Sequence, residues 1–307
     1  MKNVLITGGA GFIPGSLAAA LLKTGKYFVV AVDNFLTGTR EHVNNHPNFR
    51  FIKCDVNDFR DISSVMLHHQ FDYVFHYAAV VGVKRTLDNP KMVLDDIKGL
   101  QNVFELSKNT GVKRIFFSSS SEVYGEPVHL PQHEYETPLN SRLPYAVVKN
   151  IGECFCRSYQ DEFGLNYTIF RFFNTYGPWQ SEDFVITKFL RAALANRDIP
   201  VYGDGSQTRT FCYIEDNLEF TIRILENDLF VNDVVNVGND KLTTIKELAE
   251  LLINLTNSQS KIIHLPPLKE GDMTRRQPDN SKMLEVLGRP LLELEDGIKN
   301  ILEATKR

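Results

Sequence analysis

Tyr145 and Lys149 stand four residues apart in Leu143-Pro144-Tyr145-Ala146-Val147-Val148-Lys149, downstream of Ser118-Ser119-Ser120-Ser121-Glu122. Residues four apart share one face of a helix, so the phenol and the ammonium point into the same space. A fixed ammonium beside a phenol, near the positive ring of an oxidised nicotinamide, lowers its pKa from the reference value of about 10, which makes Tyr145 a base usable near neutrality. The same spacing also fits a helix with one core-facing aromatic and a solvated lysine. The surrounding elements separate the two readings.

Val4-Leu5-Ile6 runs into Thr7-Gly8-Gly9-Ala10-Gly11-Phe12-Ile13. A helical stretch from Ser16 to Leu22 follows, then Gly25, then Phe28-Val29-Val30-Ala31-Val32 closing on Asp33. Strand, glycine turn, helix, strand and acid form the full dinucleotide-binding pattern. Gly8 and Gly11 let the backbone turn tightly, and the helix start at Phe12 and Ile13 faces a pyrophosphate. Asp33 stands where a carboxylate accepts hydrogen bonds from a ribose diol and repels a 2′-phosphate, so the predicted cofactor is NAD. The third glycine position holds Pro14, tolerated in a first helical turn, and this puts the usual close helix–strand contact in question. Phe49-Arg50-Phe51-Ile52 leads to Asp55 and Val56, beside the predicted adenine. Tyr73-Val74-Phe75-His76 leads to the small pair Ala78 and Ala79, which admit the cofactor. His76 reads as a satisfied core histidine. Apolar runs alternating with helices predict a doubly wound parallel sheet of the Rossmann type, with chemistry at the carboxyl ends of its strands.

The chain has 307 residues, 43% hydrophobic and 23% charged, and a net charge of −4. Those values suit a globular α/β protein with no electrostatic footprint for nucleic acid or membrane. Cys54, Cys154, Cys156 and Cys212 have no metal-ligand spacing and read as buried reduced thiols, so no metal is expected. With no secretory leader pattern and no apolar run near 18 residues, the reading is cytoplasmic. The NAD-binding domain is placed at 1–174, with 175–307 mainly a smaller substrate lobe, some of whose segments return to the main domain. Arg209 and the pair Arg275-Arg276 sit in loops of that lobe, where guanidinium forks suit a diphosphate. Thr243 or Thr244 with Glu247 predicts a capping box.

Together these segments resemble the extended short-chain dehydrogenases/reductases of the nucleotide-sugar epimerase, dehydratase and decarboxylase type. The resemblance spans nearly the whole chain. It rests on Thr7–Ile13, Asp33-Asn34, His76–Ala79, Ser118–Gly125, Tyr145–Lys149, Arg171–Pro178, Tyr202–Phe211 and Gly271–Asp279. It implies a nucleotide-diphosphate sugar as substrate. Tyr145 would take a sugar hydroxyl proton while hydride leaves that carbon, usually C4, for NAD. Lys149 would hold the nicotinamide ribose, and Ser120 would share the substrate hydroxyl. Asn34, Ser118 and Phe172 join the implied cofactor contacts, and Asn174, Arg209, Arg275 and Arg276 the diphosphate contacts.

The fate of the 4-keto sugar divides the cues. If Ser120 to Glu122 is extended, both side chains share a face and Glu122 reaches the sugar, as in UDP-glucuronate decarboxylases and in dehydratases. Tyr202–Arg209 is also decarboxylase-like. Against this, no acidic residue lies between Tyr145 and Lys149, and Ser121 precedes Glu122 where dTDP-glucose dehydratases carry an aspartate. Val80–Thr86 looks more like a 4-epimerase, with Lys84 and Arg85 placed to hold an acidic or bulky sugar. The expectation is 4-epimerisation first, then decarboxylation, net 4-dehydrogenation releasing the ketone, and 4,6-dehydration. A non-catalytic NAD sensor is the contrasting class, and it would need none of Ser120, Tyr145 and Lys149. The resemblance also implies a homodimer through the Tyr145 helix and the helix near 91–109, with Val147, Val148, Ile151 and Phe155 either as its apolar surface or facing the chain's own core.

Overall fold

The computed structural model describes residues 1–267 and 275–305, without the side chains of Val83 and Lys84. The main domain begins β1 (Lys2–Thr7), α1 (Phe12–Lys23), β2 (Tyr27–Asp33), β3 (Phe49–Lys53), α2 (Phe59–His68), β4 (Tyr73–His76) and α3 (Val83–Asp88). It continues through α4 (Pro90–Thr110), β5 (Arg114–Ser120), α5 (Pro144–Phe163) and β6 (Asn166–Phe172). The lobe adds β7 (Thr175–Tyr176), α6 (Val185–Leu194), β8 (Ile199–Tyr202), β9 (Thr208–Arg209) and β10 (Cys212–Tyr213). Then follow α7 (Ile214–Glu226), β11 (Asp233–Val237), β12 (Thr243–Thr244), α8 (Ile245–Thr256), β13 (Ile262–Leu265), α9 (Ser281–Leu287) and α10 (Leu294–Thr305). A seven-stranded sheet runs β11-β6-β5-β4-β1-β2-β3, and each neighbouring pair is parallel.

Successive strand residues point to opposite faces, and here both faces are apolar. Leu5, Val30, Val74, Ile115, Phe117 and Ile169 pack with α2, α4 and α5, whereas Val4, Ile6, Val29, Phe75, Phe116 and Phe170 pack with α1, α7 and α9. This is the doubly wound parallel sheet expected from the continuous apolar runs. α7, β11 and α9 return to the main domain: Phe220, Val235 and Met283 share the core of Val4 and Leu17. The lobe has its own core around Ile186, Phe189, Val201, Leu248 and Ile298. Thr244 caps α8 in a capping box, with Glu247 N–H donating to Thr244 Oγ1 at 3.0 Å and Thr244 N–H to Glu247 Oε2 at 2.8 Å.

Three expectations change. Pro14 is buried inside an intact α1, and Gly15 closes the helix against Gly9 and His42, where an added Cβ would lie 3.1 Å from the His42 carbonyl oxygen. Cys154 is exposed, while Cys54, Cys156 and Cys212 are buried. Of the proposed surface on α5, Val148 is buried and Ile151 and Phe155 pack against the chain's own core, which leaves Val147 exposed. Among the described residues no helix is long and apolar enough to cross a membrane.

α5, the helix of Tyr145 and Lys149, lies directly on β5 at Gly152, where a Cβ would stand 2.1 Å from Phe117 Cζ. Overpacking a core of this kind costs about 1–3 kcal/mol. Gly152→Ala is expected to lose that much unfolding free energy in urea. Phe117→Leu in the same chain should recover part of it, because neighbours in contact couple. Strictly additive losses would show that this close approach does not hold the helix.

Candidate active site

The carboxyl ends of β1, β2, β4 and β5, the start of α5 and the inner wall of the lobe enclose one cavity of about 900 Å³. At its dinucleotide end Gly8 has φ +72°, and a Cβ there would stand 2.9 Å from the backbone of Ala78, so only glycine lets the two loops meet. Gly11 N–H donates to the Gly8 carbonyl at 2.8 Å and caps α1 without a side chain. The amides of Phe12 and Ile13 then open the first turn, where an anion is favoured. Pro14, third in line, has no N–H to offer. Asp33 is buried at the end of β2 and accepts Ala10 N–H at 3.0 Å and Phe35 N–H at 2.6 Å. Burial raises its pKa against the pull of those amides. Asn34 donates to Asp55 Oδ2 at 3.2 Å, and both line the cavity with Val56, Ala78 and Ala79. A glycine cradle, two open amides and a carboxylate fit NAD.

At the chemical end Lys149 is buried, and its ammonium donates to the Ser118 carbonyl at 2.7 Å and to Ser118 Oγ at 3.2 Å. An ammonium has three donors, so one remains for the cavity. Burial brings Lys149 down to about 8. His76 is the satisfied core residue expected, and burial takes its pKa to about 3. Thr7 Oγ1 accepts from Tyr77 N–H at 3.0 Å and Ala78 N–H at 3.1 Å, so its proton goes to His76 Nδ1, 2.9 Å away. Phe172 and Ser118 line the same wall.

Tyr145 lines the cavity above Lys149 and shares a hydrogen bond with Ser120, but its pKa is raised, not lowered. Burial is the main cause and the Glu122 carboxylate the next, while Ser120 and Arg276 pull the other way. Lys149 Nζ lies 5.6 Å from the centre of the phenol ring and makes its hydrogen bonds to Ser118. The lysine alone therefore does not make this tyrosine a base, and further positive charge at the nicotinamide position is needed.

Glu122 does not extend β5 as expected. Ser120 ends the strand and caps a 3₁₀ turn, Ser121–Tyr124, by accepting Glu122 N–H at 3.2 Å. The turn still aims Glu122 into the cavity, where it pairs with Arg276 at 2.6 Å, both side chains largely buried. Arg276 thus stands beside Glu122 and Tyr145. Arg275 is exposed and outside the cavity lining. Arg209 and Asn174 line the lobe side, with Asn174 Nδ2 donating to the Thr210 carbonyl at 3.0 Å. Arg85 reaches across the cavity mouth to Asp183 at 2.9 Å, and the Lys84 side chain lies outside the described residues. Gly271 to Thr274 of the polar loop also lie outside them.

Asp96, Trp179, Asp183 and Lys188, which the sequence did not single out, also line the cavity. Lys188 had a signal, since it sits on α6 one residue before the buried Phe189 and so at the helix's core boundary. Asp96 had only its place on α4, and the loop residues had none.

A buried network fixes these parts. Glu153, one turn beyond Lys149 on α5, is fully buried and takes a bidentate grip from Arg171 at 2.9 and 2.7 Å and a hydrogen bond from Ser119 at 2.6 Å. Arg171 continues to Tyr124 Oη at 2.9 Å, which donates to Asn236 Oδ1 at 2.7 Å. Asn236 Nδ2 donates to the carbonyl of Asp279 at 3.2 Å, three residues beyond Arg276.

The sequence pattern of the NAD dependent epimerase/dehydratase family matches residues 4–238. A UDP-N-acetyl-alpha-D-glucosaminuronate decarboxylase of Bacillus cytotoxicus is 35% identical over 98% of this chain and 97% of its own length. The crystal structure of a UDP-glucose 4-epimerase with UDP-glucose from Thermotoga maritima superposes with a TM-score of 0.93 at 31% identity, covering 99% of both chains. A UDP-glucuronic acid 4-epimerase from Bacillus cereus, in complex with UDP-glucuronic acid and NAD, gives 0.90 at 29% identity, again over 99% of both. With the glycine cradle, the Tyr145–Lys149 helix and the sheet in agreement, the chain belongs to the NAD-dependent epimerase/dehydratase family of extended short-chain dehydrogenases/reductases.

Proposed function

We propose that this protein decarboxylates a nucleotide-diphosphate hexuronate by way of its 4-keto form. The observation that carries the reading is the Glu122–Arg276 pair, buried in the cavity beside Tyr145. A guanidinium at that depth suits a substrate carboxylate by charge-assisted bidentate hydrogen bonds, whereas a neutral hexose would leave it paired with Glu122 alone. This reverses the order drawn from the sequence, which put 4-epimerisation first, and the uronate decarboxylase among the relatives supports the reversal. 4-Epimerisation remains the second reading, favoured by the likeness to two 4-epimerase structures.

NAD supplies the oxidant and, after the carbon chemistry, the reductant at C4. Tyr145 and Ser120 hold the C4 oxygen, and Tyr145 takes its proton. A ketone at C4 makes the C5 carboxylate that of a β-keto acid, so the bond to the carboxyl carbon breaks and its electrons pass into the C4 carbonyl. Arg276 orients the departing carboxylate. Glu122 relays a solvent proton to C5. Asn174 and Arg209, with Lys188 at the lobe face, hold the diphosphate.

Self-association belongs to the same proposal. Leu94 on α4 and Val147 on α5 are exposed large apolar residues on adjacent helices, and a two-fold axis would pair them. Val147→Glu is expected to lower the sedimenting mass without changing the far-ultraviolet dichroism. An unchanged mass would place any contact elsewhere.

Incubation with UDP-glucuronate or UDP-N-acetylglucosaminuronate should release carbon dioxide, while UDP-glucose returns unchanged. An epimer of unaltered mass would instead establish the second reading. Arg276→Ala is expected to lose about 10–100-fold in kcat/KM on the uronate, the equivalent of one charged hydrogen-bonded contact. Tyr145→Phe should lose about 10²–10⁴-fold with folding intact, and wild-type turnover in that variant would remove the mechanism. Because Lys149 must be an ammonium and titrates at about 8, kcat/KM should fall as pH rises through that value. The limb should be absent in Lys149→Met.

A further inference from the structure

Asp96 takes no part in the chemistry just described, yet it is a carboxylate lining the same cavity. It sits on α4, the helix packed along α5. Its Oδ2 accepts Val80 N–H at 2.8 Å, from the loop after β4, and its Oδ1 faces Asn57 Nδ2 at 3.5 Å, from the loop after β3. Both loops wall the dinucleotide end of the cavity. Gly99, three residues further along α4, makes the second contact possible, because a Cβ there would stand 2.6 Å from Asn57 Oδ1. The arrangement is built, with two loops and a helix converging on one carboxylate.

Lys149 shows what such a carboxylate is for. Its ammonium is buried, and its hydrogen-bond partners among the described residues are the carbonyl and hydroxyl of Ser118, both neutral. An ammonium out of water without a counter-charge loses its proton. We propose that Asp96 is the fixed negative charge that holds Lys149 as an ammonium, and so is a positioning residue for NAD. The inference rests on the reading of Lys149 as the cofactor-holding cation.

The charges that face this pair come from every neighbouring element. On α4 itself, Asp95 is engaged with Lys98 at 2.9 Å on the outer surface. Asp55, from the loop after β3, pushes the Asp96 pKa up together with burial, the larger cause, and the Val80 amide, Lys149 and Asn57 pull it down. His76 on β4 faces Lys149 and is held neutral by burial first and by the Lys149 charge next. Tyr145 on α5 feels Asp96, Glu122 and Arg276 together. Against burial, the influence that favours the charged form of Lys149 is Asp96.

Asp96→Asn tests this cleanly. The amide oxygen keeps the Val80 hydrogen bond, and its NH₂ meets Asn57 once the Asn57 amide turns over to present Oδ1 in place of Nδ2, Oδ1 being buried without a partner. Charge is removed while shape and hydrogen bonding stay. NAD affinity of the full chain, measured by calorimetry from pH 6 to pH 9.5, is the readout, and it needs no sugar substrate. In wild type the Kd should rise as Lys149 loses its proton. In Asp96→Asn the onset should move down by about one pH unit, with the Kd at pH 6 within about twofold of wild type, because Lys149 is charged in both there. Lys149→Met should show no such rise. An unmoved onset in Asp96→Asn overturns the proposal and spares the role of Lys149. Equal weakening at every pH makes Asp96 a structural residue only, and also overturns it. If wild type and Lys149→Met behave alike, the reading of Lys149 itself fails, and this inference with it.

Discussion

The grip of Arg171 on Glu153 is the interaction on which the rest depends. Both side chains are almost wholly buried, and a buried ion pair holds its place only if the remaining donors and acceptors are also met. Here they are met by Ser119, by Tyr124 and by the Glu134 carbonyl. Burial pushes the Glu153 pKa up, and Arg171 and Ser119 more than reverse it, so the group stays ionised. The consequence is geometric. Ser119 lies next to Ser120 and Ser118 on β5, Glu153 one turn from Lys149 on α5, and Arg171 next to Phe172 on β6. Through Tyr124 and Asn236 the same network holds the chain just beyond Arg276. Phenol and lysine on α5, hydroxyl on β5 and guanidinium in a loop of the second half are carried by three separate stretches of chain, and one polar core fixes their spacing.

Electrostatics around Tyr145 are arranged against premature ionisation. Burial and Glu122 keep the phenol protonated, while Lys149 is turned to Ser118. In the proposed mechanism, positive charge brought to the cavity by the cofactor is what would make the base. The Glu122–Arg276 pair has a similar logic. Each partner satisfies the other inside the cavity, and in the proposed reaction a substrate carboxylate takes the place of Glu122 on the guanidinium, freeing Glu122 for proton traffic.

Much of this was legible in the sequence, and for identifiable reasons. The strands of the sheet are buried on both faces, so each appears as a continuous apolar run, and the glycine turn at Gly8 and Gly11 marks the cofactor end. Tyr145 and Lys149 are readable because a helix converts spacing directly into direction. What failed concerned features that spacing does not encode. Ser120 and Glu122 were read as one extended face, whereas the chain turns at Ser121 and brings Glu122 in by another route. Arg275 and Arg276 are adjacent and chemically alike, and only the fold turns one outward and the other toward Glu122. The lowered pKa of Tyr145 was expected from Lys149 together with the nicotinamide ring, and burial and a carboxylate from β5's end outweigh the lysine's share. Asp96 and Asp183 meet their partners through tertiary contacts, for which the chain carries no local signal.

The claim most in need of measurement is that the C4 hydrogen leaves and returns while the carboxyl carbon is lost. UDP-glucuronate carrying deuterium at C4 would be incubated with the enzyme, and the product analysed by mass spectrometry. The account requires a product lighter by one carbon dioxide, with the deuterium retained at C4. A product of unchanged mass with inverted C4, or one that has lost carbon dioxide and its deuterium together, would contradict it.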